Sequence, residues 1–327
     1  MTEPARWAIL GAGAIATDFA DALRDADLGV LHAVGARDAA RARSFAERYS
    51  APVAATYDEV LARDDIDAVY IATVHPTHLD LAHAALDAGA AVLCEKPLTV
   101  RAADTDAVIA HAARVGLPLV EAYKYRFGPF ADRLREIVGS GRLGRIVEIE
   151  SSLGFAAASR SGRLFDPSTA GGAILDVGCY PVSFAVGVAA AAGVDLGRAS
   201  VAQASGSIGP TGVDETATAV LDLGGVTARV RTSIVEETPR ASRIVGTEAT
   251  LEIDNAWGSR SRSTDSAVLV DGTGRHPFTV DTVQPMAAEA DAVIAALRER
   301  RTQAPEIPWS QSQTIAGLLD GWLDALR

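Results

Sequence analysis

Along the first third of the chain, short apolar runs alternate with stretches whose apolar positions recur every three to four residues. Residues 7–10, 30–35, 67–73, 90–94 and 117–122 are continuous apolar runs and read as strands buried on both faces. Residues 15–24, 57–63, 79–88 and 102–114 carry the helical spacing, and another helix follows residue 38. Repeated strand–helix units of this length predict a parallel, doubly wound sheet. Residues 117–122 are its last strand and complete a first domain, 1–122.

Beyond residue 122 the pattern changes. Tyr123-Lys124-Tyr125-Arg126-Phe127-Gly128-Pro129 is aromatic and basic and reads as a hinge at the sheet's edge. A helix over 130–139 and an alternating strand over 146–153 follow. Residues 155–170, rich in Ser, Arg and Gly, form a long loop. Gly171-Gly172 then opens an Ala-rich helix reaching about residue 191. From 199 to 280 the period is two. Ala217, Ala219, Leu221 and Leu223 share one face, with Thr218 and Asp222 opposite. Ala228, Val230, Thr232 and Ile234 alternate with Arg229, Arg231 and Ser233. This predicts a mainly antiparallel sheet with one covered face. Helices over 285–301 and 310–326 end a second, α+β domain, 123–327.

Composition narrows the classes. The 327 residues are 48% hydrophobic and 22% charged, enough for two cores. A net charge of −12 argues against nucleic-acid or anionic-membrane partners. Two cysteines imply no disulfide framework or zinc site, so a cytoplasmic location is expected. The N-terminus has no basic segment followed by an apolar one, and no run approaches the ~20 apolar residues of a membrane span.

Three motifs carry chemistry. Gly11-Ala-Gly13-Ala14-Ile15-Ala16 matches G-x-G-x-x-A at the first strand–helix junction. Gly11 permits the tight turn, Gly13 a close backbone approach to a pyrophosphate, and Ala16 close helix packing. The N–H groups of Ala14 and Ile15 then face the phosphate. The second strand ends in Arg37 rather than an acid, with Arg41 one turn on; this predicts NADP(H), although Asp38 keeps NAD(H) possible. The alternative is two solvated surface arginines. The loop holding Thr73, His75, Pro76 and His78 lies at the same sheet edge and is expected to border the cofactor, with His78 near the next helix start.

Glu95-Lys96-Pro97 follows the run 90–94, at the strand end where ligands bind in open parallel sheets. Asp176 and Tyr180, spaced i and i+4, would share one helix face. A cation beside a phenol lowers its pKa from about 10. Tyr180 is therefore the candidate general acid/base. Lys96 is its electrostatic partner and a donor to the substrate oxygen. Asp176 accepts a substrate hydroxyl, and Glu95 contacts the nicotinamide ribose. A core tyrosine and a helix-start cap are the plainer readings of Tyr180 and Asp176. Tyr123, Arg126 and Phe155 are further candidate substrate contacts.

With these motifs the chain resembles the glucose–fructose oxidoreductase/inositol dehydrogenase family over essentially its whole length. Many relatives carry His where Tyr180 stands. The tyrosine form, with Ala36-Arg37-Asp38, His75-Pro76-x-His78 and Gly212-Val-Asp-Glu-Thr216, is similar to the dihydrodiol dehydrogenase and NADP-dependent D-xylose dehydrogenase branch. The resemblance implies NADP(H), a Lys–Tyr catalytic pair and a homodimer built on the C-terminal sheet. It also implies hydride transfer to or from a sugar or cyclic diol. A sugar–sugar oxidoreductase retaining its cofactor, or a non-catalytic NADP(H)-binding protein, are the alternatives.

Overall fold

The computed structural model describes residues 3–326. Six parallel strands form the first sheet: β1 (Ala5–Leu10), β2 (Gly29–Gly35), β3 (Val53–Ala55), β4 (Ala68–Ile71), β5 (Ala91–Glu95) and β6 (Leu119–Ala122). Their spatial order is β3-β2-β1-β4-β5-β6, so the winding reverses between β1 and β4. The strands are mainly apolar because both faces are covered. Trp7, Ile9, Tyr70 and Leu93 pack on one side with Phe19, while Ala8, Leu10, Val69, Ile71 and Val92 pack on the other with Leu86. Around the sheet lie α1 (Ala14–Ala22), α2 (Ala39–Tyr49), α3 (Tyr57–Leu61), α4 (His78–Asp87) and α5 (Ala102–Val115).

After α6 (Pro129–Gly139), the second sheet begins with β7 (Ile146–Gly154). It continues, after α7 (Cys179–Ala191), with β8 (Ser200–Ile208), β9 (Asp214–Leu223), β10 (Val226–Ser233), β11 (Ser242–Gly246), β12 (Ala249–Ile253), β13 (Ser263–Asp271) and β14 (Gly274–Thr282). The order is β14-β13-β12-β11-β7-β10-β9-β8, antiparallel except for the β7–β10 pair. Ala217, Ala219, Leu221, Leu223, Ala228 and Val230 are buried, whereas Arg229 and Arg231 are exposed on the other face. The expected two architectures, one doubly wound and one open-faced, are both present.

Four differences from the sequence reading have physical causes. Strand β3 was not read, since Val-Ala-Ala is too short to show a period. The helix after Gly171-Gly172 is not one α-helix: Ile174–Gly178 is a π-helical turn, and α7 starts at Cys179. The segment Pro167–Ala191 does meet the length and apolarity of a membrane span, but 83% of its most apolar window is buried inside the fold. The chain's end also returns to the first sheet. In α8 (Pro285–Arg298), Asp291 accepts from the N–H groups of Asp27 and Leu28 at 2.9 and 2.8 Å. In α9 (Trp309–Ala325), the Trp309 indole donates to the Leu119 carbonyl at 2.9 Å.

Candidate active site

The glycine turn joins β1 to α1 at the point where the strand order reverses. Gly11 has φ +110°, and a Cβ there would sit 2.6 Å from the Ala72 carbonyl oxygen. No side chain is tolerated. Gly13 differs: it caps α1 with extended backbone, and a Cβ there would meet nothing within 4 Å. The space in front of it is open for a ligand. Ala16 is fully buried, as the close helix–strand packing requires. No side chain caps the first turn of α1 and no acid lies in it, so the N–H groups of Ala14, Ile15 and their neighbours can serve a phosphate.

Arg41 donates through Nε and Nη2 to the Ala12 carbonyl, at 3.2 and 3.0 Å, which fastens it to the glycine turn. Arg37 is exposed beside Tyr57, at the end of β2. Asp38 caps α2, accepting from Ala40 N–H at 2.8 Å. Its carboxylate is thus engaged, and the two arginines are left to set the cofactor's charge preference. These residues fit a dinucleotide with an extra phosphate.

Beyond β4, Thr73 lies against the glycine turn and its hydroxyl accepts from Thr77 at 2.7 Å. Pro76 is exposed in the same turn. His75 and His78 are buried. His75 Nδ1 lies 3.1 Å from the Ala170 carbonyl oxygen, and His78 Nδ1 lies 3.0 Å from that of Pro97. Burial pushes the imidazoles down to about 3 and about 4, so both are neutral. They tie the loops together. His75 also reaches the electrostatic neighbourhood of Asp176.

Lys96 is where β5 delivers it, at the carboxyl edge of the sheet. Its Nζ donates to the Asp176 backbone carbonyl at 2.7 Å and lies 5.2 Å from the centre of the Tyr180 ring. The π turn accounts for the first contact. An i→i+5 partner for that carbonyl would be Pro181, which has no N–H, and Lys96 supplies the donor instead. Asp176 is buried in the turn. Its Oδ1 accepts from Arg163 Nη1 at 2.7 Å. Tyr180 sits in an aromatic cluster, with ring centroids 5.7 Å from both Tyr123 and Trp257 and 5.8 Å from Tyr125.

The electrostatics correct one expectation. Burial raises the Tyr180 phenol above its ordinary value of 10.0, and the pull of Lys96 does not overcome it. Glu95, Cys179 and Glu289 add to the rise. Burial works against the Lys96 charge, but Cys179, Asp176, Tyr180 and Glu95 outweigh it and hold the ammonium firmly protonated. Asp176 is buried too, yet Lys96 and Arg163 keep its carboxyl below the usual range. The site therefore holds a protonated phenol, a cation and a carboxylate side by side.

Several other residues take different places from those expected. Glu95 is buried and accepts from the Tyr70 hydroxyl at 2.6 Å, so its carboxylate turns into the sheet. Tyr123 is fully buried, its ring edge-on to Tyr180. Arg126 is buried as a clamp, donating to the Ser183 carbonyl at 2.9 Å and to the Glu306 carbonyl at 2.9 and 3.1 Å. Neither Tyr123 nor Arg126 is placed to touch a substrate. The basic-aromatic run that suggested them is a buried joint. Phe155 packs, half-buried, beside Phe165 and Val177. Arg163 and Trp257 were missed. Arg163 lies thirteen positions before Asp176 in an irregular stretch with no motif, and Trp257 lies far on, after β12; only the Asp176 ion pair and the Tyr180 ring contact reveal them.

Comparison with known proteins gives the same picture. A family described as an oxidoreductase family with an NAD-binding Rossmann fold matches residues 5–123. The GFO/IDH/MocA C-terminal domain matches residues 131–252. Trans-1,2-dihydrobenzene-1,2-diol dehydrogenase of Mus musculus is 32% identical, over 96% of this chain and 95% of that protein. D-xylose 1-dehydrogenase (NADP(+)) 2 of Haloferax volcanii is 33% identical, over 88% of this chain and 87% of its own length. Among solved structures, a 3-ketoreductase from Actinomadura kijaniata in complex with TDP-benzene and NADP superposes with a TM-score of 0.86 at 24% identity, covering 99% of this chain and 98% of that one. At that identity the likeness concerns the fold.

Proposed function

Because the chain belongs to the GFO/IDH/MocA oxidoreductase family, we propose that it is an NADP-dependent dehydrogenase/reductase acting on a CH–OH group of a sugar or cyclic diol, with Lys96, Asp176 and Tyr180 as its proton-handling residues. The observation that carries the assignment is Lys96 Nζ, set between the Asp176 carbonyl and the Tyr180 ring at the carboxyl end of β5.

NADP(H), when bound, supplies or accepts the hydride. The chain's part is binding, orientation and the proton. Gly11, Gly13 and the start of α1 would receive the pyrophosphate. Arg37 and Arg41 would receive the phosphate that distinguishes NADP from NAD. In carbonyl reduction, the protonated Tyr180 hydroxyl donates its proton to the carbonyl oxygen. Lys96 stabilises the phenolate left behind, and it has donors beyond the one spent on Asp176. In alcohol oxidation the phenolate takes the hydroxyl proton as the hydride leaves. Asp176, ionised, accepts from a substrate hydroxyl. The raised phenol suits the acid role directly and makes the basic role dependent on pH.

A two-fold dimer through the open face of the second sheet is part of the same proposal. That face carries cross-strand pairs, Arg229–Glu148 at 2.7 Å and Arg275–Glu252 at 2.8 Å, on a sheet with two edges. The enzymatic reading is tested by incubating the protein with NADP+ and a panel of aldoses and cyclic diols while following NADPH absorbance. Turnover of at least one member is expected. Tight NADP(H) binding with no turnover across the panel would make the protein a binding module instead.

A further inference from the structure

We infer that Arg163 and Asp176 act as a donor–acceptor fork that reads the oxygen beside the reacting carbon, a role that rests on the oxidoreductase reading above. Asp176 accepts from the hydroxyl on the neighbouring carbon, and the Arg163 guanidinium donates to the same oxygen or to the next. The substrate class narrows accordingly to vicinal diols and 2-hydroxy carbonyl compounds.

The pair is half used. Arg163 Nη1 donates to Asp176 Oδ1 at 2.7 Å, while Asp176 Oδ2 and Arg163 Nε and Nη2 have no hydrogen-bond partner among the described residues. Asp176 is anchored behind, through its carbonyl on Lys96, and its side chain is only 7% exposed. Arg163 is 54% exposed. A buried acceptor and an accessible planar donor therefore lie side by side, the arrangement a guanidinium–carboxylate pair needs to bind two adjacent oxygens.

The position of Arg163 is built into the chain. Gly171 passes so close that a Cβ would lie 2.5 Å from the Arg163 carbonyl oxygen. Gly172 donates to the Leu164 carbonyl at 2.9 Å, and Thr169 Oγ1 donates to that of Arg163 at 2.7 Å. Gly172 also has φ +116°, and a Cβ there would meet Asp214 Oδ1 at 2.2 Å. These contacts fold the 163–172 segment down onto the turn that carries Asp176. Lys96 is the largest single pull that keeps the Asp176 carboxyl down against burial, and Arg163 adds to it. The guanidinium donors not spent on Asp176 face outward and stay available to a substrate oxygen.

The test is a cycle of substrate against residue. Wild type, Arg163→Ala and Arg163→Lys are assayed with NADP+ on two pairs of probes: D-xylose with 2-deoxy-D-xylose, and trans-cyclohexane-1,2-diol with cyclohexanol. One hydrogen bond to a charged group corresponds to a roughly ten- to hundredfold change in kcat/KM. Wild type should prefer the vicinal member by that factor. Arg163→Ala should lose it on the vicinal member, largely in KM, and lose little on the deoxy member, with Arg163→Lys recovering part. Equal losses on both members would make Arg163 a structural residue and overturn the inference while leaving the oxidoreductase reading in place. If Arg163→Ala does not fold, a wild-type enzyme that turns over both members equally is itself contrary. No NADPH from any of the four probes removes the inference together with the reading beneath it.

Discussion

At the scale of single residues, the proposed proton transfer turns on the contest between burial and charge at Tyr180. Burial wins: the phenol lies above its ordinary 10.0, although Lys96 is 5.2 Å from the ring centre. A raised acid stays protonated to higher pH, so the sign is fixed. Carbonyl reduction should run without an alkaline decline up to at least about pH 9, and alcohol oxidation should climb with pH with no plateau below about pH 10, given the reference phenol value. Steady-state rates in both directions against pH check this. A plateau in oxidation near neutrality would mean that the bound reactants lower the phenol as the sequence reading expected. Cofactor choice is a second residue-scale matter. Arg41 is fastened to Ala12, and Asp38 is spent on capping α2. Changing Arg37 and Arg41 together to Ala should weaken NADP(H) far more than NAD(H) in fluorescence titrations. Equal weakening would contradict the assignment.

Elements carry their own strain and their own evidence. Strand β6 carries Glu121, whose Oε1 accepts from Leu98 N–H at 2.9 Å while Oε2 is buried with no partner. Burial pushes this carboxyl up to about 7 from 4.5. A folded-state pKa above the unfolded one stabilises fully only below about pH 4.5, and that contribution is lost as pH rises through about 7. Glu121→Gln keeps the acceptor for Leu98 and removes the ionisation. It should be the more stable form by on the order of 3 kcal/mol at pH 8, with the difference vanishing toward pH 4, in denaturant titrations. A constant difference across that range would show that ionisation is not its source. The strand carrying Glu121 was legible in advance, as were the glycine turn and the alternating strands, because each repeats a short-range period or demands a particular residue. The π turn was not. With it goes the contact from Lys96, eighty positions away, to the Asp176 carbonyl, whose i+5 neighbour Pro181 has no N–H to offer. No local pattern reports such a contact. The buried roles of Tyr123 and Arg126 were hidden for the same reason, since Ser183 and Glu306, which receive Arg126, belong to distant elements.

At the scale of the whole molecule, the two sheets meet at one site because the chain crosses between them more than once. α8 and α9 return to the first sheet after the second is complete, which apolar periodicity alone does not foretell. The second sheet's open face is polar but not bare. Its ion pairs hold arginines flat across the strands, Arg229 reaching the adjacent β7 and Arg275 reaching over β13 to β12, and a second copy related by a two-fold axis would cover this face. Light scattering at micromolar concentration should give twice the mass of one chain, and the mass of a single chain would count against the dimer. In the proposed mechanism Tyr180 moves the proton from a place prepared by Lys96 and Asp176. The measurement that meets it most directly is NADPH formation by wild type and Tyr180→Phe on one active sugar or diol, with NADP(H) affinity measured alongside. Turnover should fall by on the order of 10²–10⁴ while affinity stays nearly unchanged. Wild-type turnover in the phenylalanine variant would contradict it.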